Sequence, residues 1–342
     1  MRRVHSLIFF FTLEIALTIV GFGAVGAQDA LPRDDAIRIA EAREIVGRFG
    51  DNIWAGWSRA PFAILLVTEE REYLVYHGQP TDDFTSAGYD SLVESDVYTR
   101  DRVFETDLQA TFPAVGGVPT IVMGRPKTTE ASHSSRWVLT LLHEHFHQWQ
   151  LSQPDYYESV GGLDLARGDS TGMWMLNYSF PYDSTAVGQA FSGLCTSLAG
   201  AIEAVDDATW EEKFQEYREA RRKFRSAVDA DDYRYFSFQV WQEGISRYTE
   251  YRLALMLAST WIPTPEFEAL SDFVPFEEVA ARIKKHIVSA LTTMELDDLR
   301  RTAFYHVGAG EGLLLDRYYP WWKQHYMEKR FFVERYFDLR PY

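Results

Sequence analysis

The chain has 342 residues, 46% hydrophobic and 25% charged, enough for one large domain or two modest ones with a real core. Its 34 basic residues face 50 acidic ones, a net charge of −16, which argues against a nucleic-acid or anionic-membrane partner because phosphate binding needs a basic face. The single cysteine, Cys195, excludes an intramolecular disulfide framework and a cysteine-rich zinc site, and ordinary glycine and proline contents exclude collagen-like and disordered classes.

Residues 1–27 read as a secretory signal peptide. Arg2 and Arg3 open it, Leu7 to Val20 is mostly apolar, and Ala24-Val25-Gly26-Ala27 offers small residues for cleavage. Glu14 weakens the alternative of an uncleaved anchor helix, since a mid-bilayer carboxylate is costly. No later stretch approaches the roughly 18 uninterrupted apolar residues of a membrane span. The mature chain is expected to be secreted or periplasmic, with no stable membrane span.

Residues 33–48 carry apolar side chains at helical spacing, closed by Gly50. The short segments PFAILLVT, EYLVYH, RVFET and PTIVMG are rich in β-branched and aromatic residues, so 51–126 is expected to hold a small sheet. From Ser132 the pattern turns helical, over 135–151, 185–205, 208–228, 236–258, 276–291, 296–317 and 320–337, with Ser134 or Ser135 as the first N-cap. The glycine-rich stretch 152–183 reads as loop. The expected class is α+β: residues 28–130 as an N-terminal helix and small β-sheet part, and 131–342 as a mostly helical part. No GxGxxG or strand–helix alternation suggests a dinucleotide fold.

The segment Leu141-Leu142-His143-Glu144-His145-Phe146-His147 contains HExxH within a strongly helical stretch. Side chains at i and i+4 share a helix face about 5–6 Å apart, so His143 and His147 can converge on one metal. Glu144 can accept the proton of a water held by that metal, the general-base role in metal-assisted hydrolysis. His145 points elsewhere and is expected to pack in the core. A catalytic zinc needs a third protein ligand and an open position. Gln150 and Gln153 exclude the extended HExxHxxGxxH pattern, which needs glycine and histidine there. Of Glu243, Asp164, Asp169 and His306, the best candidate is Glu243. It shares a helical face with Arg247 and Glu250, so one carboxylate can ligate while the other orients a ligating histidine.

Helical HExxH followed by Trp241-Gln242-Glu243-Gly244 and Tyr248-Thr249-Glu250 resembles the gluzincin metallopeptidases, most closely the aminopeptidase N family with its WLNEGFAxYxE segment. The resemblance implies a zincin-like fold and a zinc metallopeptidase acting on a peptide or protein substrate. His143, His147 and Glu243 would be the ligands, Glu144 the base, and Glu250 a partner of a ligand. In that family a tyrosine in a YxKG segment supports the oxyanion. Here Tyr305-His306-Val307-Gly308 begins 62 residues past Glu243, which assigns that role to Tyr305, with His306 a lesser candidate. A glycine-containing strand lies along the family's substrate; Gly116 and Gly117, before Val118–Met123, match its glycines and imply substrate binding.

Two departures stand beside the resemblance. Ninety-five residues separate His147 from Glu243, far more than in the family, leaving room for two or three inserted helices. The family's Gly-x-Met-Glu-Asn, whose glutamate binds the substrate amine, has no counterpart: Val118, Pro119 and Thr120 follow Gly117, and Glu130 or Glu158 would have to substitute. Free amino termini are therefore expected to be poorly accepted. The alternatives are a zincin-scaffold binding protein without turnover and a zinc hydrolase of non-peptide amides. Other chemistries fit less well: Ser192 lacks the first glycine of a nucleophile elbow, and Cys195 lies in an apolar helical context.

Overall fold

The periodicity of residues 33–48 does make a helix, and it runs on to form α1 (Arg33–Ile53) in the computed structural model, which describes residues 30–339. Residues 1–27, expected to be a signal peptide, lie outside the described residues. Six strands follow: β1 (Ile64–Val67), β2 (Arg71–Val75), β3 (Thr85–Asp90), β4 (Ser95–Asp101), β5 (Gln109–Val115) and β6 (Val118–Gly124). They form one sheet in the order β3-β4-β2-β1-β6-β5, with β1 and β6 parallel and the other neighbours antiparallel. Every residue of β1 is buried, as its unbroken apolar run requires in a sheet interior.

RVFET is not a strand. The backbone N–H groups of Val103 and Phe104 instead donate to the buried Glu72 carboxylate at 2.8 and 2.6 Å. That carboxylate also accepts from Arg100 at 2.7 Å, so the amides satisfy a charge rather than a ladder. β3, reading Thr-Ser-Ala-Gly-Tyr-Asp, carries too little apolar alternation to be found by pattern.

The helical part comprises α2 (Ser134–Leu151), α3 (Tyr156–Gly161), α4 (Trp174–Asn177), α5 (Thr185–Glu203), α6 (Asp207–Ala227) and α7 (Ala230–Gln239), then α8 (Ile245–Thr260), α9 (Pro265–Glu268), α10 (Phe276–Thr293), α11 (Leu296–Leu299) and α12 (Ala303–Tyr318). The α+β class holds, and α3 and α4 lie in the stretch expected to be loop. α7 runs into α8 through one π turn, Val240–Gly244, in which the Ile245 N–H bonds the Val240 carbonyl. No helix among the described residues is long and apolar enough to cross a membrane.

Two expectations are corrected. The N-cap of α2 is His133, whose ring accepts from the Arg136 N–H at 3.2 Å. Ser134 and Ser135 are inside the helix and donate to the Asp272 carboxylate and, at 2.5 Å, to the Val274 carbonyl. Residues 320–337 are not a helix but contain the 3-10 turns Trp322–His325 and, running to the next residue, Val333–Asp338. Phe331 sits at φ 69°, and Trp322, Tyr326, Phe331, Val333, Tyr336 and Phe337 are all buried. One helical stripe does not bury so many aromatic faces, so the chain wraps over the core instead. The Tyr326 ring stacks on Trp241 with centroids 4.7 Å apart.

α2 lies between the sheet and α8. On the sheet side the Trp137 indole donates to the Gly124 carbonyl at 2.7 Å, and the Gln148 amide donates to Ala63 and Pro119 at 2.9 and 3.0 Å. On the far side α12 crosses the π turn in backbone contact: a Cβ on Gly308 would lie 2.5 Å from the Gly244 Cα, and the reverse distance is also 2.5 Å. Backbone cannot swing aside as a side chain can. Gly308→Ala is expected to lower stability by about 1–3 kcal/mol, the usual range for overpacking. Chemical denaturation checks this, and an unchanged midpoint would count against the close crossing.

Candidate metal centre

Three positions of α2, His143, His147 and Gln150, follow i, i+4, i+7 and face α8 and the π turn. The Nε2 atoms of His143 and His147 lie 3.1 Å apart, and Glu243 Oε2 stands 3.7 and 3.4 Å from them. Bonds of about 2.0–2.1 Å in a tetrahedron put ligand atoms about 3.3–3.4 Å apart. The three separations straddle that value, so the two imidazoles and the carboxylate fit a zinc-sized ion. Glu144 also brings a carboxylate oxygen within 4.8 Å of a donor atom on each histidine. Two acids therefore border the pair. Glu243 is the better ligand because its oxygen already stands at coordination spacing. Glu144 is held elsewhere: its Oε2 accepts from the Thr111 hydroxyl of β5 at 2.9 Å.

Each histidine is oriented through its other nitrogen. His143 Nδ1 lies 2.7 Å from Glu250 Oε1, and His147 Nδ1 lies 2.8 Å from Gln150 Oε1. In the neutral rings, Nδ1 donating in both leaves each Nε2 a lone pair for a metal. Gln150 is itself fixed, since its amide donates to the Trp241 and Gln242 carbonyls and, at 2.9 Å, to the Tyr326 hydroxyl. The Glu250 carboxylate is also bound by the guanidinium groups of Arg136 and, at 3.1 Å, Arg247.

Burial opposes charge on all these groups, and the neighbours decide the outcome. Burial pushes Glu250 up, but Arg136, Arg247 and His143 hold its carboxyl well below the usual range. Burial would also lower His147, yet the Glu243 carboxylate beside it raises it to about 9. Glu243 in turn is held far below its ordinary value, against its own burial, by both histidines.

Tyr305, on α12, belongs to the same neighbourhood. Burial first, and then the Glu243 charge, raise its phenol, so it keeps its proton at neutral pH. Its oxygen accepts from the Arg301 guanidinium, which leaves the O–H free to donate.

The remaining candidates fall outside the donor cluster. His145 packs against Trp57 and Phe62, and burial lowers it to about 3. His306 faces His286 across 5.1 Å between ring centroids, and burial, then His286, lower it to about 4. Asp169 caps its own loop, accepting from Thr171 and Trp174, and Asp164 is exposed. Glu130 and Glu158 are exposed, and Cys195 is buried.

Gly116 and Gly117 form the β5–β6 turn, at φ 57° and 76°. The strand that follows them, β6, has no free backbone edge in the sheet. β6 is flanked on both sides by β1 and β5, so its backbone is already paired, whereas β5 is the sheet edge and carries Thr111 against Glu144.

Thr111, Gln150, Arg136 and Arg301 hold the site's groups in place without being part of any motif in the sequence. Gln150 carried a signal, being one turn past His147 on the same face; Thr111 carried none, because strand register is not visible in one sequence.

Zinc is expected to bind one to one, with His143→Ala, His147→Ala and Glu243→Ala each weakening it at least about tenfold. His147, raised to about 9, is protonated at pH 7 and must become neutral to ligate. Binding at pH 7 should release about one proton, and affinity should rise with pH up to about 9. Calorimetry in buffers of different ionisation enthalpy measures the release; full occupancy in Glu243→Ala would move the third ligand elsewhere.

No family model, curated protein or solved structure matches this chain, so the donor cluster, rather than kinship, is what a functional reading of it stands on.

Proposed function

We propose that this chain is an exported zinc-dependent metallopeptidase of gluzincin type on a zincin-like scaffold. The observation that carries the reading is the convergence of His143 Nε2, His147 Nε2 and Glu243 Oε2 at 3.1–3.7 Å beside a carboxylate, Glu144, that is held separately. Zinc, when bound, supplies a Lewis acid that polarises a carbonyl and makes a nucleophile of water at neutral pH.

The chain's own groups do the rest. Glu144 takes a proton from the attacking water and later delivers it to the departing amine nitrogen. Thr111, donating to one of its oxygens, fixes the carboxylate's direction while leaving the other oxygen for that work. The Tyr305 hydroxyl, its oxygen engaged by Arg301, donates to the substrate carbonyl oxygen as that atom gains charge. The free edge of β5 takes a peptide in extended form, through backbone hydrogen bonds that do not depend on its sequence. Export rests on the composition of residues 1–27.

Glu144→Gln should keep its zinc and lose turnover, because an amide cannot accept the proton. Tyr305→Phe should keep its zinc and lose about 10²-fold in kcat, the loss typical of one oxyanion donor. Metal analysis with steady-state kinetics on a broad peptide panel reads both, and a zinc-loaded wild type that cuts no peptide would contradict the proposal.

An aminopeptidase needs a carboxylate at a fixed distance from the metal to neutralise the substrate ammonium. Glu130 and Glu158 are exposed, and the residues after Gly117 are uncharged. One peptide series assayed with free and acetylated amino termini should show the acetylated forms cut at least as fast. A tenfold or greater advantage of the free forms, with stepwise loss of single residues, would establish aminopeptidase action.

A further inference from the structure

Three guanidinium groups surround the donor cluster, and two of them are spoken for. Arg136 and Arg247 both pair with Glu250. Arg301, in the 3-10 turn Arg300–Thr302 that leads into α12, is different. Its polar contact is the neutral Tyr305 hydroxyl, and its guanidinium carbon lies 5.6 Å from the centre of that ring. Among the described residues, no ion pair joins it to a carboxylate. It is only partly exposed, and it is near enough to Glu243 to feel its charge.

A partly buried cation without an anionic partner is an unmet electrostatic demand. The local charge sharpens it. Arg136, Arg247 and Arg301 balance Glu144, Glu243 and Glu250, so a divalent metal leaves the cluster two charges positive in a chain whose net charge is −16. A guanidinium fork matches a carboxylate geometrically and can hold it by two parallel hydrogen bonds.

We propose that Arg301 binds a carboxylate of the substrate next to the scissile bond. The inference rests on the peptidase reading and names its substrate class: peptides that carry a negative charge beside the bond cut. Arg301 touches the Tyr305 hydroxyl, and that hydroxyl meets the scissile carbonyl in the proposed reaction. The carboxylate therefore sits within about one residue of it, some 3.3–3.6 Å of extended chain. Either a free carboxyl terminus or an aspartate or glutamate side chain supplies this group.

The test uses zinc-loaded full-length mature protein and two sets of matched peptides. One set differs only in a carboxyl-terminal acid or amide; the other, amidated throughout, differs only in Asp or Asn beside the cleaved bond. Wild type should favour the charged member of one set by at least about tenfold in kcat/KM, mostly through KM. The set that shows the preference identifies the source of the carboxylate. In Arg301→Gln the preference should fall toward unity, and Arg301→Lys should restore part of it, keeping charge without the fork.

If wild type cuts charged and neutral peptides equally, the proposal fails while the peptidase reading stands. If Arg301→Gln lowers kcat by the same factor for both members and leaves their ratio unchanged, Arg301 serves Tyr305 alone and the proposal also fails. If wild type cuts nothing, the peptidase reading fails. Calorimetric binding of the same peptides to Glu144→Gln then decides about Arg301: equal affinity for charged and neutral members overturns the proposal, and a charge preference lost in the Glu144→Gln, Arg301→Gln double variant upholds it.

Discussion

Glu250 is a buried carboxylate, and much of the donor cluster is arranged around the electrostatic demand of burying it. One oxygen meets His143 Nδ1 at 2.7 Å and Arg247 at 3.1 Å, and the other meets Arg136. Arg136 and His143 belong to α2 and Arg247 to α8, so one carboxylate ties the two helices together. It fixes the His143 ring, chooses the nitrogen left for a metal, and sets the register at which Glu243, two helical turns before it, arrives opposite His147. Removing one partner of such a group costs about 3–5 kcal/mol, because the remaining charge is stranded.

The rest of the scaffold holds that register. Gln150 repeats the logic on His147 and reaches the carboxyl-terminal wrap through the Tyr326 hydroxyl, which itself donates to the Trp241 carbonyl at 2.7 Å. The π turn and the Gly244–Gly308 contact bring α12, and with it Tyr305, against the helix carrying Glu243. The sheet contributes through its edge, where the Thr111 hydroxyl donates to one oxygen of the Glu144 carboxylate. Elements from four parts of the chain thus meet around the donor cluster.

What was legible in the sequence was local. HExxH is a statement about one helix face, and the order Trp241, Glu243, Gly244, Tyr248, Glu250 is a statement about another, so the pairing of Glu250 with a histidine of the motif is legible in the sequence. Contacts made through sheet register or chain reversal were not legible. Thr111 meets a residue 33 positions away, and Arg301 meets Tyr305 near Glu243, 58 positions back in the chain. The carboxyl-terminal segment misled for a related reason: its aromatic residues recur at spacings a helix would use, but they are buried on too many sides for a single helix. The N-cap of α2 misled because the serines preceding the apolar run are engaged by Asp272 and Val274, far along the chain.

The proposed function requires the His143 and His147 imidazoles and the Glu243 carboxylate to share one ion. Anomalous diffraction at the zinc edge on crystals of the zinc-loaded protein tests it most directly. A single strong peak is expected about 2.0–2.1 Å from His143 Nε2, His147 Nε2 and Glu243 Oε2, with one further position open to solvent. A peak bonded to Glu144 in place of Glu243, or no peak between the two histidines, would contradict it.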